Sequence, residues 1–191
     1  MHSVGIVAET YIIAQNEEGM YIIDQHAAHE RVNYERVMKS KQDANTYRKI
    51  MLIPLTLEYS ASEFNRIKEN LSEIEALGFK IEELGINTFV VKEHPDWLRE
   101  GMEDILIKQI FDIFIEETMK FNKMRFLDRV AATTACKMSV KAHEAITLEQ
   151  ADQILKDLME CDNPYNCAHG RPTVVHYSNY ELERMFKRVM N

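Results

Sequence analysis

The chain has 191 residues, of which 46% are hydrophobic and 28% charged, with a formal net charge of −8. That balance suits a globular protein of one domain or two small ones, with no apolar run long enough for a membrane span and no basic-then-apolar start of a signal peptide. Three cysteines, an odd number, argue against a paired secreted disulfide scaffold and read as cytosolic thiols. The acidic balance is the wrong sign for a dedicated DNA-binding domain, so any contact with nucleic acid must run through a local basic patch, a metal or a partner.

In chain order, residues 4–14 and 20–23 are β-rich, separated by Gln15-Asn16-Glu17-Glu18-Gly19, a hairpin signal with Gly19 expected in the left-handed region. Ala27 to Met38 reads as a helix that follows the apolar run Tyr21-Ile22-Ile23 directly, so Asp24 falls at a strand-to-helix corner. Ile50 to Leu55 reads as a strand, and Pro54 places it at an edge or an end. Phe64, Ile67, Leu71, Ile74 and Leu77 recur at helical spacing and Gly78 ends that helix. Residues 79–81 and 87–91 read as strands joined by a Gly85 turn, His94-Pro95-Asp96-Trp97 as a break, and Ile105 to Phe114 as an apolar helix.

Residues 57–122 therefore form an inserted helix-strand-strand-helix unit, flanked by residues 1–56 and 123–191, and the fold class is α+β with two lobes. Beyond the insertion, Arg125 to Ala142 is a long helix carrying Cys136. Thr147-Leu148-Glu149-Gln150 and Ser178-Asn179-Tyr180-Glu181 are capping boxes that open two further helices, the last with an apolar stripe at Leu182, Met185, Phe186, Val189 and Met190. Residues 173–177 read as a short strand.

Two clusters carry candidate chemistry. In Asp24-Gln25-His26-Ala27-Ala28-His29-Glu30, His26 and Glu30 are four apart and share a helix face, with Asp24 at the helix mouth. In Cys167-Ala168-His169-Gly170-Arg171-Pro172, a thiol and an imidazole two apart in a Gly/Pro loop can turn toward one ion. The two clusters offer ligands that zinc accepts, and carboxylate-rich sites also admit manganese or magnesium. Each residue has a plainer reading. Asp24 can simply cap the helix, and Glu30 and Glu35 can face solvent. Cys136 sits in an Ala/Met-rich helical stretch and reads as a core cysteine. His29, His94 and His143 read as surface histidines, and His176 can face either way. Arg171 can hold a phosphate bidentately or cap a carboxylate of the site.

Asp24-Gln25-His26-Ala27, Glu30 and Glu35 together resemble the DQHA(x)2E(x)4E endonuclease motif of MutL mismatch-repair proteins. Ala135-Cys136-Lys137, Ser139 and Lys141-Ala142 resemble the second motif of that family, Cys167 to Pro172 the third, and Phe186-Lys187-Arg188 its F-x-R signature. The order and spacing agree along the whole chain, which is similar to the C-terminal domain of a bacterial nicking MutL.

The resemblance implies a homodimeric, metal-dependent endonuclease that nicks duplex DNA in mismatch repair, in the cytoplasm and associated with the nucleoid. It implies metal ligands at Asp24, His26, Glu30, Cys136, Cys167 and His169, with Asp24, His26 and Glu30 catalytic. Zinc would be the regulatory or structural ion, and manganese or magnesium would support cleavage. Glu35, Arg171 and Arg188 would contact phosphate or support the ligands. Residues 1–56 and 123–191 would form a dimerisation lobe carrying the metal site, and residues 57–122 an external, regulatory lobe. The implied partners are a MutS-type mismatch recognition protein, a sliding clamp and an N-terminal ATPase domain of the same protein, which nothing in this chain resembles. The alternative is a non-catalytic dimerisation module with a structural zinc site.

Two positions depart from the family pattern. Ala168 stands where the third motif has proline, which frees one φ angle. In the clamp-binding segment, Lys49 stands where the family has glutamine, while Met51, Leu52 and Pro54 keep its apolar tail.

Overall fold

A computed structural model describes residues 1–40, 47–116, 122–139 and 144–188. The chain divides into two compact units, Met1–Glu35 with Ala135–Asn191, and Arg36–Thr134. It mixes helices with two antiparallel sheets, an α+β fold.

The first unit is built on strands β1 (His2–Val7), β2 (Tyr11–Asn16) and β3 (Gly19–Asp24). The sequence reads residues 4–14 as one β-rich stretch, but it is two strands. Ala8 and Glu9 take φ of 52° and 50°, and Thr10 N donates to Val7 O at 3.1 Å. Two successive positive φ angles are the signature of a tight hairpin turn, usually marked by Gly or Asn. Neither is present here, so the sequence hides the turn. The β2–β3 hairpin falls where expected, but Gly19 serves another purpose than a left-handed turn. Its φ is 152°, and a Cβ there would lie 2.2 Å from the carbonyl oxygen of Tyr177.

That oxygen belongs to the fourth strand, which pairs antiparallel with β3 from Gly19↔Ser178 to Ile23↔Val174. One face of this sheet packs on the first helix, α1 (Gln25–Ser40), and on a later helix opened by Thr147. Ile12, Ala14, Tyr21 and Ile23 from the sheet meet Ala28 and Val32 from α1 and Ala151, Ile154, Leu155 and Leu158 from the later helix. The opposite face carries Val7, Tyr11, Ile13, Met20, Ile22, Val175 and Tyr177, as the alternation of side chains along the paired strands requires.

The second unit begins within α1 and contains β4 (Arg48–Glu58), α2 (Ala61–Glu69), α3 (Leu71–Glu75), β5 (Lys80–Glu83), β6 (Thr88–Pro95) and α4 (Glu103–Glu116). Strand order is β4-β6-β5, so Pro54 does lie on an edge strand. The single helix expected from Phe64 to Leu77 is broken at Asn70, whose φ of −127° and ψ of 21° leave the helical region. Periodicity survives the break because Phe64, Ile67, Ile74 and Leu77 are all buried on one core. The expected break at His94 comes two residues later: β6 runs through Pro95, and His94 is 4% exposed instead of lying on the surface. His143 lies outside the described residues.

This unit runs wider than the 57–122 segment. β4 belongs to it by pairing with β6, and α5 (Lys123–Met138) belongs to it as far as Thr134, with Phe126 packed edge-on against Phe114 at a centroid separation of 5.3 Å. The chain then returns to the first unit through α6 (Leu148–Met159), β7 (Val174–Ser178) and α7 (Asn179–Met185). Both expected capping boxes are formed, at Thr147 with Gln150 and at Ser178 with Glu181. α7 is shorter than its apolar stripe suggests, with Met185 and Phe186 exposed, and Val189 and Met190 lie outside the described residues. Among the described residues no helix is long and apolar enough to cross a membrane.

Candidate metal centre

β3 ends at Asp24, and α1 starts at once. The Oδ1 atom of Asp24 accepts a hydrogen bond from Ala27 N at 3.0 Å, satisfying one of the free amides of the first turn. The corner is fixed further by Gln25, which is fully buried. Its backbone amide donates to Thr10 O, and its side-chain amide donates to Glu9 O at 2.8 Å and Glu144 O at 3.1 Å. One turn into α1, Glu30 points into the unit with 2% exposure.

Three segments converge on that carboxylate. His26 Nε2 lies 3.2 Å from Glu30 Oε1, and His169 Nδ1 lies 3.4 Å from Glu30 Oε2. The ligand atoms of His26, Glu30 and Cys136 lie within 4.8 Å of one another, as do those of Glu30, Cys167 and His169. Tetrahedral zinc with bonds of roughly 2.0–2.3 Å sets its ligand atoms about 3.3–3.8 Å apart. The two measured separations fall at that spacing or just below it, and the donors are nitrogen, sulfur and oxygen. The residues present therefore fit a zinc ion.

Burial pushes the Glu30 carboxyl up, but the hydrogen bond from the Cys136 thiol and the neighbouring His26 and His169 outweigh it and hold the group below the usual glutamate range. Burial, and then the Glu30 carboxylate, push the Cys136 thiol up, against a smaller opposing pull from Arg171. Without an ion the proton stays on sulfur. A divalent cation would displace it, since the thiolate is the ligand form.

Cys136 is exposed on α5, not the core cysteine that its Ala/Met-rich surroundings suggest. Cys167 is the buried one, at 2%. Its loop is a tight turn: Cys167 N donates to Arg171 O, Gly170 N donates to Cys167 O, and Gly170 takes a φ of 79°. His169 N also points at the Cys167 sulfur, 3.4 Å away. Ala168 accommodates this turn without the proline of the family pattern.

The remaining expected residues divide. Asp24 caps α1 and is in neither three-residue group. Glu35 accepts from Asp162 N at 2.7 Å and Asn163 N at 3.1 Å. Arg171 is exposed beside the turn, and Arg188 is exposed past the end of α7. Lys141 and Ala142 of the second motif lie outside the described residues. Lys49, Met51, Leu52 and Pro54 lie on β4 in the second unit, where Leu52 is fully exposed. Residues 50–55 line a groove of about 520 Å³ with His94, Glu100, Glu103 and Asp104. Sequence reasoning overlooked Gln25 and Arg31. Neither residue type signals a role at its position, because both act through backbone carbonyls of distant segments.

Comparison with known proteins gives the family of the chain. The family described as MutL C terminal dimerisation domain matches residues 4–146. The chain is 40% identical over its whole length to the DNA mismatch repair protein MutL of Shouchella clausii, covering 29% of that protein. It is 38% identical over 98% of its length to the MutL of Pediococcus pentosaceus, again 29% of that protein. The MutL of Listeria monocytogenes serovar 1/2a is also 38% identical, over the whole chain and 31% of its own length. The chain thus spans about three tenths of the curated relatives it matches, and it belongs to the MutL C-terminal dimerisation domain family.

Proposed function

We propose that this chain is the metal-dependent endonuclease domain of a DNA mismatch repair protein, nicking duplex DNA and pairing with a second copy of itself. The observation that carries the reading is the convergence on Glu30 of His26, Cys136, Cys167 and His169 from three segments. Such a donor set suits zinc as the resident ion. The Asp24 carboxylate at the mouth of α1, beside these ligands in sequence, is the group offered to manganese or magnesium.

A divalent ion at such a site supplies Lewis-acid stabilisation of a phosphodiester and activation of water. The chain's own residues do the rest. Glu30 and His26 hold one side of the site on a rigid helix. The turn at residues 167–171 brings the other ligands and leaves the Arg171 guanidinium exposed, where it can hold a phosphate oxygen of the DNA backbone. Arg188 adds a second exposed cation for the same backbone.

The face of the first sheet turned away from α1 and α6 supports homodimerisation. It carries Tyr11, Ile13, Met20, Ile22, Val175 and Tyr177, and a second copy would bury these. Duplex DNA, a MutS-type protein and an N-terminal ATPase domain are the further partners of this reading, in a cytoplasmic, nucleoid-associated protein. The exposed apolar residues of β4 keep the tail of a clamp-docking segment, with Lys49 in place of its glutamine.

Burial of Glu30 and Cys167 favours a second reading, a dimerisation module in which zinc only joins segments. Structural sites are saturated by protein ligands, whereas catalytic ones keep an open position. The deciding experiment is nicking of supercoiled plasmid in manganese by the full-length protein, wild type beside Asp24→Asn. Nicking by the wild type that is lost in the variant supports the endonuclease. An inert wild type leaves the zinc-stapled module.

A further inference from the structure

The ligand loop is gripped by α1 at two points, and neither grip involves a ligand atom. Arg31, next to Glu30, turns its fork toward the loop. Its Nε donates to Asn166 O and its Nη2 to Cys167 O at 3.1 Å, while Nη1 faces Glu35 Oε1 at 3.7 Å. One turn further on, both carboxylate oxygens of Glu35 are filled by Asp162 N and Asn163 N. The two side chains are 12% and 9% exposed, so these charge-assisted bonds are little screened by water. The Arg31 guanidinium also lies 5.3 Å from the centroid of the Tyr34 ring, which supports its plane.

We infer that Arg31, backed by Glu35, is a positioning residue that sets the place of Cys167 and His169 against Glu30 and so tunes the affinity and geometry of the metal site. The inference rests on the metal reading above. The physical ground is a shared rigid body. Glu30, Arg31 and Glu35 stand on the same stretch of helix, so fixing the loop backbone to Arg31 and Glu35 fixes it relative to Glu30. The grip at residues 162–163 sets the entry of the loop. The grip at residues 166–167 sets the backbone of the buried thiol itself. A lysine at position 31 keeps the charge but cannot span two successive carbonyls with a planar fork. The plain alanine at position 168 gives this external hold more to do, because no proline ring restricts the turn from within.

The test is zinc affinity by competition with a chelator, together with the absorption spectrum of the cobalt(II) form, for wild type, Arg31→Lys and Arg31→Met. Both variants are expected to bind zinc about 10- to 100-fold more weakly, the usual effect of losing a partner that orients a ligand. At saturating cobalt their thiolate-to-cobalt band is expected to weaken or shift, which a residue supporting only the fold would not cause. Arg31→Lys keeps the stem and the charge beside Glu35, so it tests the idea even if Arg31→Met does not fold. Unchanged affinity and an unchanged saturated spectrum in Arg31→Lys would overturn the positioning role alone. A wild type that binds neither zinc nor cobalt would overturn the metal reading, and this inference with it.

Discussion

Glu30 Oε2 and His169 Nδ1 stand 3.4 Å apart although 139 residues separate them in the chain. The other carboxylate oxygen faces His26 at 3.2 Å. One buried carboxylate thus bridges a helix histidine and a loop histidine, and two substitutions should separate its role from that of its neighbour Asp24. Glu30→Gln is expected to lose bound zinc. Asp24→Asn is expected to keep both fold and zinc, because asparagine caps a helix as well as aspartate does, yet to lose nicking in the full-length protein. Metal content and plasmid nicking, measured side by side, check the pair. Retention of zinc in Glu30→Gln would refute the ligand assignment.

Ile22 lies at the centre of the open sheet face, between Ile13 and Val175 across the paired strands. Ile22→Lys places an ammonium where a second copy would have to desolvate it. The dimer should weaken at least roughly tenfold, read by sedimentation over a range of protein concentrations. Unaltered self-association would move the interface elsewhere.

Gly19→Ala forces a methyl to within 2.2 Å of the Tyr177 carbonyl. Since β3 and β7 are hydrogen-bonded there, neither can retreat without losing register. A loss of about 2 kcal/mol is expected in urea unfolding, in the range of overpacked sites. A variant as stable as wild type would mean the strands part without cost.

Thr147→Ala removes the side-chain oxygen that accepts from Gln150 N at 3.2 Å at the start of α6. That helix supplies Ala151, Ile154, Leu155 and Leu158 to the core of the first unit. The expected cost is about 1 kcal/mol, seen as a lower urea midpoint with an unchanged slope.

Glu63 accepts from the Ser60 hydroxyl at 2.7 Å and the Ser60 amide at 2.9 Å, and these bonds hold its carboxyl below the usual glutamate range. A pKa depressed by folding stabilises the protein above the unfolded value, and the gain is lost as pH falls through the folded one. The urea midpoint of wild type relative to Glu63→Gln should therefore shrink as pH falls below the ordinary glutamate range. A gap that stays constant would show that the charge itself contributes nothing.

The local signals in the sequence carried well where one residue decides the outcome. The capping boxes at Thr147 and Ser178 lie where four-residue patterns put them. The clusters at residues 24–30 and 167–169 could be read as candidates from spacing alone, but their meeting at Glu30 shows only in the structure. The hairpin at Ala8 and Glu9 was not legible, since its positive φ angles are imposed by strand pairing and not by glycine or asparagine. The break at Asn70 was hidden because two short helices share one buried stripe. Exposure of Cys136 and burial of His94 depend on neighbours brought by tertiary packing, which periodicity in their own segments does not report. Arg31 and Gln25 acquire their meaning only from backbone carbonyls at residues 166–167 and at residues 9 and 144.

The candidate ligands come from residues 26–30, residue 136 and residues 167–169, so the set is complete only once His169 has been made. A growing polypeptide on the ribosome cannot assemble this coordination sphere until His169 has emerged. An ion held there would therefore require the loop at residues 167–169, and a chain cut short before that loop would carry the first histidine and glutamate without any means of closing a cage around a cation.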